Sequence, residues 1–167
     1  MVLLRKLKIS KEVQLILRQY AIKNPDTAII GFVGDFEFLH PHYNSKLFDF
    51  NEYKFRNVES AFQSQRNNTR MQDFELLEPN EAIKLASQIH TKKNWLDIQD
   101  SVMYNVNFTK FTQDKPLKRL LKKTKNRELI YLSNDTYWGM KWNDISQSYI
   151  GQNMLGIILM QIRIVIK

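Results

Sequence analysis

Val13, Ile16, Leu17, Tyr20 and Ala21 recur at the three-and-four spacing of a single helix face, with Ser10 placed to cap the start and Asn24-Pro25 to end it. From Thr27 the pattern changes. The stretch Thr27 to Leu39, TAIIGFVGDFEFL, is dense in β-branched and aromatic residues and holds two glycines, which predicts a strand pair or a bent strand. Phe48 to Phe55, FDFNEYKF, alternates aromatic and polar residues and predicts a second strand region. Helical spacing returns over Val58 to Arg66 and over about Asn80 to Ile89, with Pro79 near its first turn. It returns again over Trp95 to Phe111, where Asn94 is a candidate cap and Trp95, Ile98, Val102 and Val106 share one side. A short helix is expected over Leu117 to Lys123, a strand over Glu128 to Ser133, and a loop or strand end over Asn134 to Trp142. The last helix starts near Gln152 and carries Leu155, Ile158, Leu159, Ile162 and Ile166 as its core stripe. No internal repeat or low-complexity linker interrupts the series. Together these elements predict a single α+β domain, helix-rich, with a small sheet and an N-terminal helical extension.

Two polar stripes break this simple picture. In Asn57 to Arg66, NVESAFQSQR, the apolar Val58, Ala61 and Phe62 lie beside a second row made of Glu59, Gln63 and Arg66. In the last helix Asn153, Gly156, Met160 and Arg163 fall on a common face, where a glycine between an amide and a guanidinium leaves room for a close approach to the backbone. That approach is either a ligand or another helix packed against Gly156.

Composition narrows the chemistry. The 167 residues suffice for one domain with a substantial core. The absence of cysteine removes disulfides, thiolate metal sites and a cysteine nucleophile, and fits a reducing cytoplasm. The formal charge of +8 favours polyanionic partners. Its densest run, Lys115 to Arg127, interleaves cations with Leu117, Leu120 and Leu121 as an amphipathic surface helix does. Met1 to Ile9 lacks the layout of a signal peptide, and no segment is long and apolar enough to span a bilayer, so no membrane partner is expected.

No G-x-S-x-G context surrounds a serine, and no glycine-rich phosphate loop is present. His40 and His42 lack a third ligand that the sequence identifies, so no metal and no cofactor are expected; His90 reads as a cation at a helix C-terminus. What remains are carboxylates among aromatics and amides: Glu59 in its polar stripe and Asp135 at the head of DTYWG. Two carboxylates beside an aromatic-lined pocket suit cleavage of a glycosidic bond, in which one group stabilises a cation-like ribosyl centre and the same or another activates water. Trp138 could stack on a base and Arg66 could hold phosphate. The same residues also admit a structural reading, with Glu59 paired to Arg66 and Asp135 capping a turn.

Taken in order, Gly34-Asp-Phe-x-Phe-Leu39, NVESAFQSQR, EAIKLA, Trp95, VMYNVNFTKFTQDKPLKRLL, ELIYLSNDTYWG and GQNMLGIILMQIR resemble the NADAR family from about Ile30 to the C-terminus. That family includes N-glycosidases acting on riboflavin-pathway intermediates and enzymes that remove ADP-ribose from guanine in nucleic acid. The resemblance sets an extension over residues 1–29 and a NADAR-like domain over 30–167. It implies an N-glycosidase-type hydrolase with Glu59 and Asp135 as catalytic residues. It further implies ligand contacts from Phe38, Tyr43, Gln63, Arg66, Lys84, Trp95, Trp138, Gly139, Gly151, Asn153 and Arg163. The implied substrate is an ADP-ribosylated base or a ribosylated nucleotide metabolite, free or carried on DNA or RNA. Three positions depart from the family pattern: Ser60 replaces a histidine, His40-Pro-His-Tyr43 replaces S-N-F-Y, and Arg66 replaces a lysine. A guanidinium cannot form a Schiff base with an opened ribose, as a lysine amine can. Lys54 and Lys84 are the alternative amines, and a module that binds ADP-ribose without turnover is the alternative function.

Overall fold

The computed structural model describes residues 27–166; the N-terminal helix expected around Ser10 to Ala21 lies outside them. Strand β1 (Ala28–Ile30) pairs in parallel with β4 (Glu128–Ile130), Ala28 opposite Glu128 and Ile30 opposite Ile130. β2 (Phe48–Phe50) and β3 (Tyr53–Phe55) form an antiparallel hairpin, as do β5 (Met140–Asn143) and β6 (Ser148–Gly151). A bridge from Leu132 to Met140 ties β4 to β5. The helices are α1 (Val58–Ser64), α2 (Pro79–Gln88), α3 (Trp95–Gln113), α4 (Lys115–Lys123) and α5 (Met154–Val165). The chain is therefore α+β and helix-rich, with its strands in short pairs rather than one broad sheet.

The expected bent strand after Thr27 is only half a strand. Gly31 (φ +72°) and Gly34 (φ +57°) are both left-handed, so the extended backbone stops after β1 and a 3-10 helix occupies Gly34–Leu39. Phe48 to Phe55 is not one strand but two. Asn51 and Glu52, at φ 49° and 72°, make the tight two-residue turn that the twist of a hairpin favours. The stretch after Asn143 likewise forms a hairpin arm, β6. Its turn is organised by the Asn143 side chain, which accepts from the N–H groups of Ile145 and Ser146 at 3.0 and 2.9 Å.

The helices sit where their signals placed them. Asn57 caps α1, its side-chain oxygen accepting from Ser60 N at 2.8 Å. Glu78 and Glu81 form a capping box at α2, and Asp114 caps α4 by accepting from Leu117 N at 3.0 Å. The long α3 is the spine of the molecule and packs against α1, α4, α5 and β2. Its buried row is Trp95, Met103, Val106, Lys110 and Phe111, whereas Ile98 and Val102 are only half-buried. A lysine thus stands inside this mostly apolar row, beside a second buried polar residue, Asn107.

Candidate functional site

Glu59 lies in the first turn of α1, where a carboxylate is favoured by the exposed N–H groups of the helix start. Its side chain is only 12 % exposed. Oε1 accepts from Gln63 Nε2 at 2.7 Å, and Gln63 Oε1 in turn accepts from Arg66 Nη1 at 3.3 Å. The polar stripe is therefore a chain, carboxylate to amide to guanidinium, and not the direct Glu59–Arg66 ion pair of the structural reading. The Arg66 guanidinium rests over the Trp95 ring at 5.4 Å, and its buried Nε has no hydrogen-bond partner. Trp95 packs on Phe62 (5.0 Å between ring centres), and Phe62 meets the edge of Trp138 at 5.4 Å. Gln63, Arg66, Trp95 and Trp138 thus follow one another beside Glu59.

The His40–Tyr43 loop closes over this group. Pro41 O accepts from Glu59 N at 3.0 Å, which fixes the loop to the start of α1. His42 Nε2 stands 3.7 Å from Glu59 Oε2. His40 Nδ1 accepts from His42 N at 3.0 Å, so the neutral imidazole carries its proton on Nε2. Burial pushes the His40 pKa down to about 4, assisted by His42 and Lys110 and opposed by Glu59. Behind the loop Lys110, fully buried, donates from Nζ to Phe38 O at 2.8 Å and lies 5.4 Å from the Tyr43 ring. Burial lowers its pKa to about 7, and Asp114 partly offsets the shift. Phe38 supplies this carbonyl, while its ring lies in the core against Phe111.

Asp135 shapes its own loop: its Oδ1 accepts from Tyr137 N at 2.9 Å and Trp138 N at 3.3 Å. It also acts on the same phenol as Glu59. Burial first, then the Glu59 charge and more weakly Asp135, push the Tyr131 pKa up to about 12. Tyr131 packs against His40, ring centres 5.3 Å apart. Gly139 and Gly151 maintain close backbone approaches. A Cβ on Gly139 would lie 2.7 Å from Tyr131 O, and one on Gly151 would collide with Gly139 O. Their place is in the packing of β5 against β4 and β6.

The second polar stripe is bonded to β4 through two of its members. Asn153 is buried, with both ends of its amide committed: Oδ1 accepts from Tyr131 N and Nδ2 donates to Leu129 O, each at 2.9 Å. Arg163 Nη1 donates to Thr124 Oγ1 at 2.8 Å and to Arg127 O at 2.9 Å, at the other end of β4. What approaches Gly156 is the Leu129 carbonyl, a strand and not a helix. Lys84 is exposed on α2, with no hydrogen bond or ion pair joining it to the Glu59 group. Lys54, the other candidate amine, is paired with Asp49 at 2.6 Å. Sequence reasoning did not single out Lys110 or Tyr131. Lys110 was marked only by its place in the helical row with Met103 and Val106.

A separate cavity of about 460 Å³ opens between the β2–β3 hairpin and α3, lined in part by Asp49, Asn51, Gln65, Asn105 and Gln113. Its lining offers one carboxylate, Asp49, already paired with Lys54. Among the described residues no group of three or more His, Asp or Glu side chains is placed to hold a metal ion, and no helix is long and apolar enough to cross a membrane.

The fold is similar to the NMR structure of the E. coli protein YbiA, with a TM-score of 0.67 and 23% identity, covering 82% of this chain and 83% of that one. In sequence the chain is 36% identical over 73 residues to the N-glycosidase YbiA of Shigella boydii serotype 4 (strain Sb227). That stretch covers 43% of this chain and 42% of the relative, so the match spans less than half of that protein's length. The NADAR domain pattern matches residues 30–167, the whole of the described fold beyond its first three residues and most of the chain. The protein belongs to the NADAR family.

Proposed function

We propose that the chain is an N-glycosidase-type hydrolase that cleaves the bond between a ribose and a nitrogen base, its substrate an ADP-ribosylated base or a ribosylated nucleotide metabolite. The observation that carries this reading is the chain Glu59–Gln63–Arg66. It ends in a buried guanidinium nitrogen without a partner, above the Trp95 ring. Glu59 is a nearly buried carboxylate held in one orientation by Gln63, suited to stabilise positive charge at the anomeric carbon and to take a proton from attacking water. Arg66 offers a fixed cation for a phosphate of the ligand. Trp138 offers an aromatic surface for a base. Asp135 holds the loop carrying Trp138 and adds to the negative potential at Tyr131. Membership of the NADAR family and the name of the Shigella relative support the same reaction class.

Arg66 also favours a second reading, a pocket that binds ADP-ribose and does not turn it over, since a guanidinium supplies no nucleophilic amine. The deciding experiment incubates the protein with ribosylated bases, ADP-ribosylated guanine among them, and follows free base by chromatography. Time-dependent, enzyme-proportional release supports the hydrolase. Saturable binding of ADP-ribose with no base released from any substrate establishes the binder.

A further inference from the structure

We propose that His42 is the proton donor to the departing base and that Glu59 returns the proton to it after water has attacked. The inference rests on the N-glycosidase reading of the site. A nitrogen base leaves ribose far more readily when it is protonated, so the site needs an acid as well as Glu59.

The neighbouring groups fail as that acid, each for a visible reason. His40 spends Nδ1 on His42 N and is neutral by burial; the Tyr131 phenol holds its proton tightly. Lys110 is sealed behind Tyr43 and bonded to Phe38 O. Asp135 Oδ1 is committed to two backbone N–H groups, and Arg66 does not give up a proton near neutral pH. His42 remains. Its side chain is 39 % exposed at the rim, and Nε2 points at Glu59 Oε2 from 3.7 Å. The loop is fixed twice, by Glu59 N donating to Pro41 O and by His42 N donating to His40 Nδ1, which keeps the His42 backbone beside the start of the Glu59 helix. The charged or titratable groups around this pair are Glu59, His40, Tyr131, Lys110 and Asp135.

The cycle balances. The bond from the anomeric carbon to the base nitrogen breaks, its electron pair goes to the nitrogen, and that nitrogen takes the Nε2 proton of the His42 imidazolium. Water adds to the anomeric carbon, and its proton goes to the Glu59 carboxylate. Glu59 Oε2 then passes this proton to the bare His42 Nε2, directly or through one water, restoring both groups. The net change is one water consumed and one free base released.

The test compares two leaving groups on wild type, His42→Gln and His42→Ala. One substrate is the ribosylated base most readily hydrolysed by the wild type. The other is a 4-nitrophenyl riboside, whose phenolate departs without a proton. With the base, both variants should lose about 10²- to 10⁴-fold in kcat. The alkaline fall in rate should vanish from the pH profile, and added imidazole should restore part of the rate to His42→Ala. With the nitrophenyl riboside the loss should stay below about threefold, well short of a general acid's contribution. Equal losses on both substrates, or no loss on either, overturn the proposal while leaving the hydrolase reading intact. A wild type that releases neither base nor nitrophenol overturns both.

Discussion

At Lys110 a cation is buried with one carbonyl, Phe38 O, as its acceptor and with the Tyr43 and Phe111 rings beside it. Burial favours the neutral amine, lowering the pKa from its ordinary 10.5 to about 7. In the unfolded chain the amine binds its proton up to the ordinary value. Between these two pH values the unfolded state therefore holds more protons, and this group makes stability rise with pH. The stability of the wild type relative to Lys110→Met should accordingly grow from pH 7 to pH 9, by at most about 1.4 kcal/mol per pH unit from one group. Urea unfolding at several pH values measures it; a constant difference would show that Lys110 keeps its proton when folded. His40, whose pKa falls to about 4, acts in the same direction lower down: its contribution is lost as the solution is acidified from about 6.5 through 4. Asn153 is a different kind of buried polar residue, with an amide that satisfies Tyr131 N and Leu129 O from a left-handed backbone (φ 55°). Asn153→Ala leaves both groups unpartnered, at about 1–3 kcal/mol each. The melting temperature should fall clearly while kcat of the folded fraction stays within about threefold, below the usual effect of removing a catalytic group. Weakened ligand binding at unchanged stability would instead give Asn153 a direct ligand contact.

The contact between α5 and β4 sets the frame that carries Tyr131 to the site. Gly156 permits it: a Cβ there would strike the Leu129 carbonyl and crowd the Asn153 amide. Gly156→Ala should force the helix off the strand and cost about 1–3 kcal/mol, the usual penalty for overpacking. A melting curve unchanged by the substitution would show that the helix can shift freely. The spacing of Asn153, Gly156 and Arg163 was legible as one face, but spacing does not say what a face meets. Ligand and strand both need a small residue beside hydrogen-bonding groups, and only the register of β4 separates them. The helices were legible for the reason such elements usually are, since apolar periodicity acts locally: Pro79 marks the start of α2 as read, whereas Asn94, read as a cap of α3, makes no side-chain capping bond and Asn57, not singled out, caps α1. The hairpins were less legible because their turns use Asn51, Glu52 and Gln147 at positive φ without the glycine that would signal them. Of the site, Glu59, Gln63 and Arg66 could be read as one stripe because one helix holds them. Lys110 meets the His40–Tyr43 loop across a long sequence separation, and only its helical spacing from Met103 and Val106 marks it locally.

Over the whole molecule the charge of +8 has a concentrated part. On α4 Leu117 and Leu121 are buried, and Arg119, Lys122 and Lys123 face solvent on one side. If the ribosylated base is carried on a nucleic acid, this face is suited to the phosphates. Affinity for a modified oligonucleotide should then fall steeply with salt, with a log–log slope of about 0.9 per phosphate contacted on duplex DNA. Reversing Arg119, Lys122 and Lys123 to Glu should flatten that slope and spare hydrolysis of a small substrate. Titrations at several salt concentrations decide, and a wild type with no salt slope would leave the positive face as surface alone. The central claim, however, concerns one carboxylate, and the most direct measurement is single-turnover hydrolysis by Glu59→Gln beside the wild type, with thermal melting and ligand affinity as controls. The amide keeps the size and the contact with Gln63 but carries no charge and takes no proton. The account predicts a loss of about 10²- to 10⁴-fold in rate with melting temperature and affinity nearly unchanged; a rate within a few-fold of wild type would contradict it.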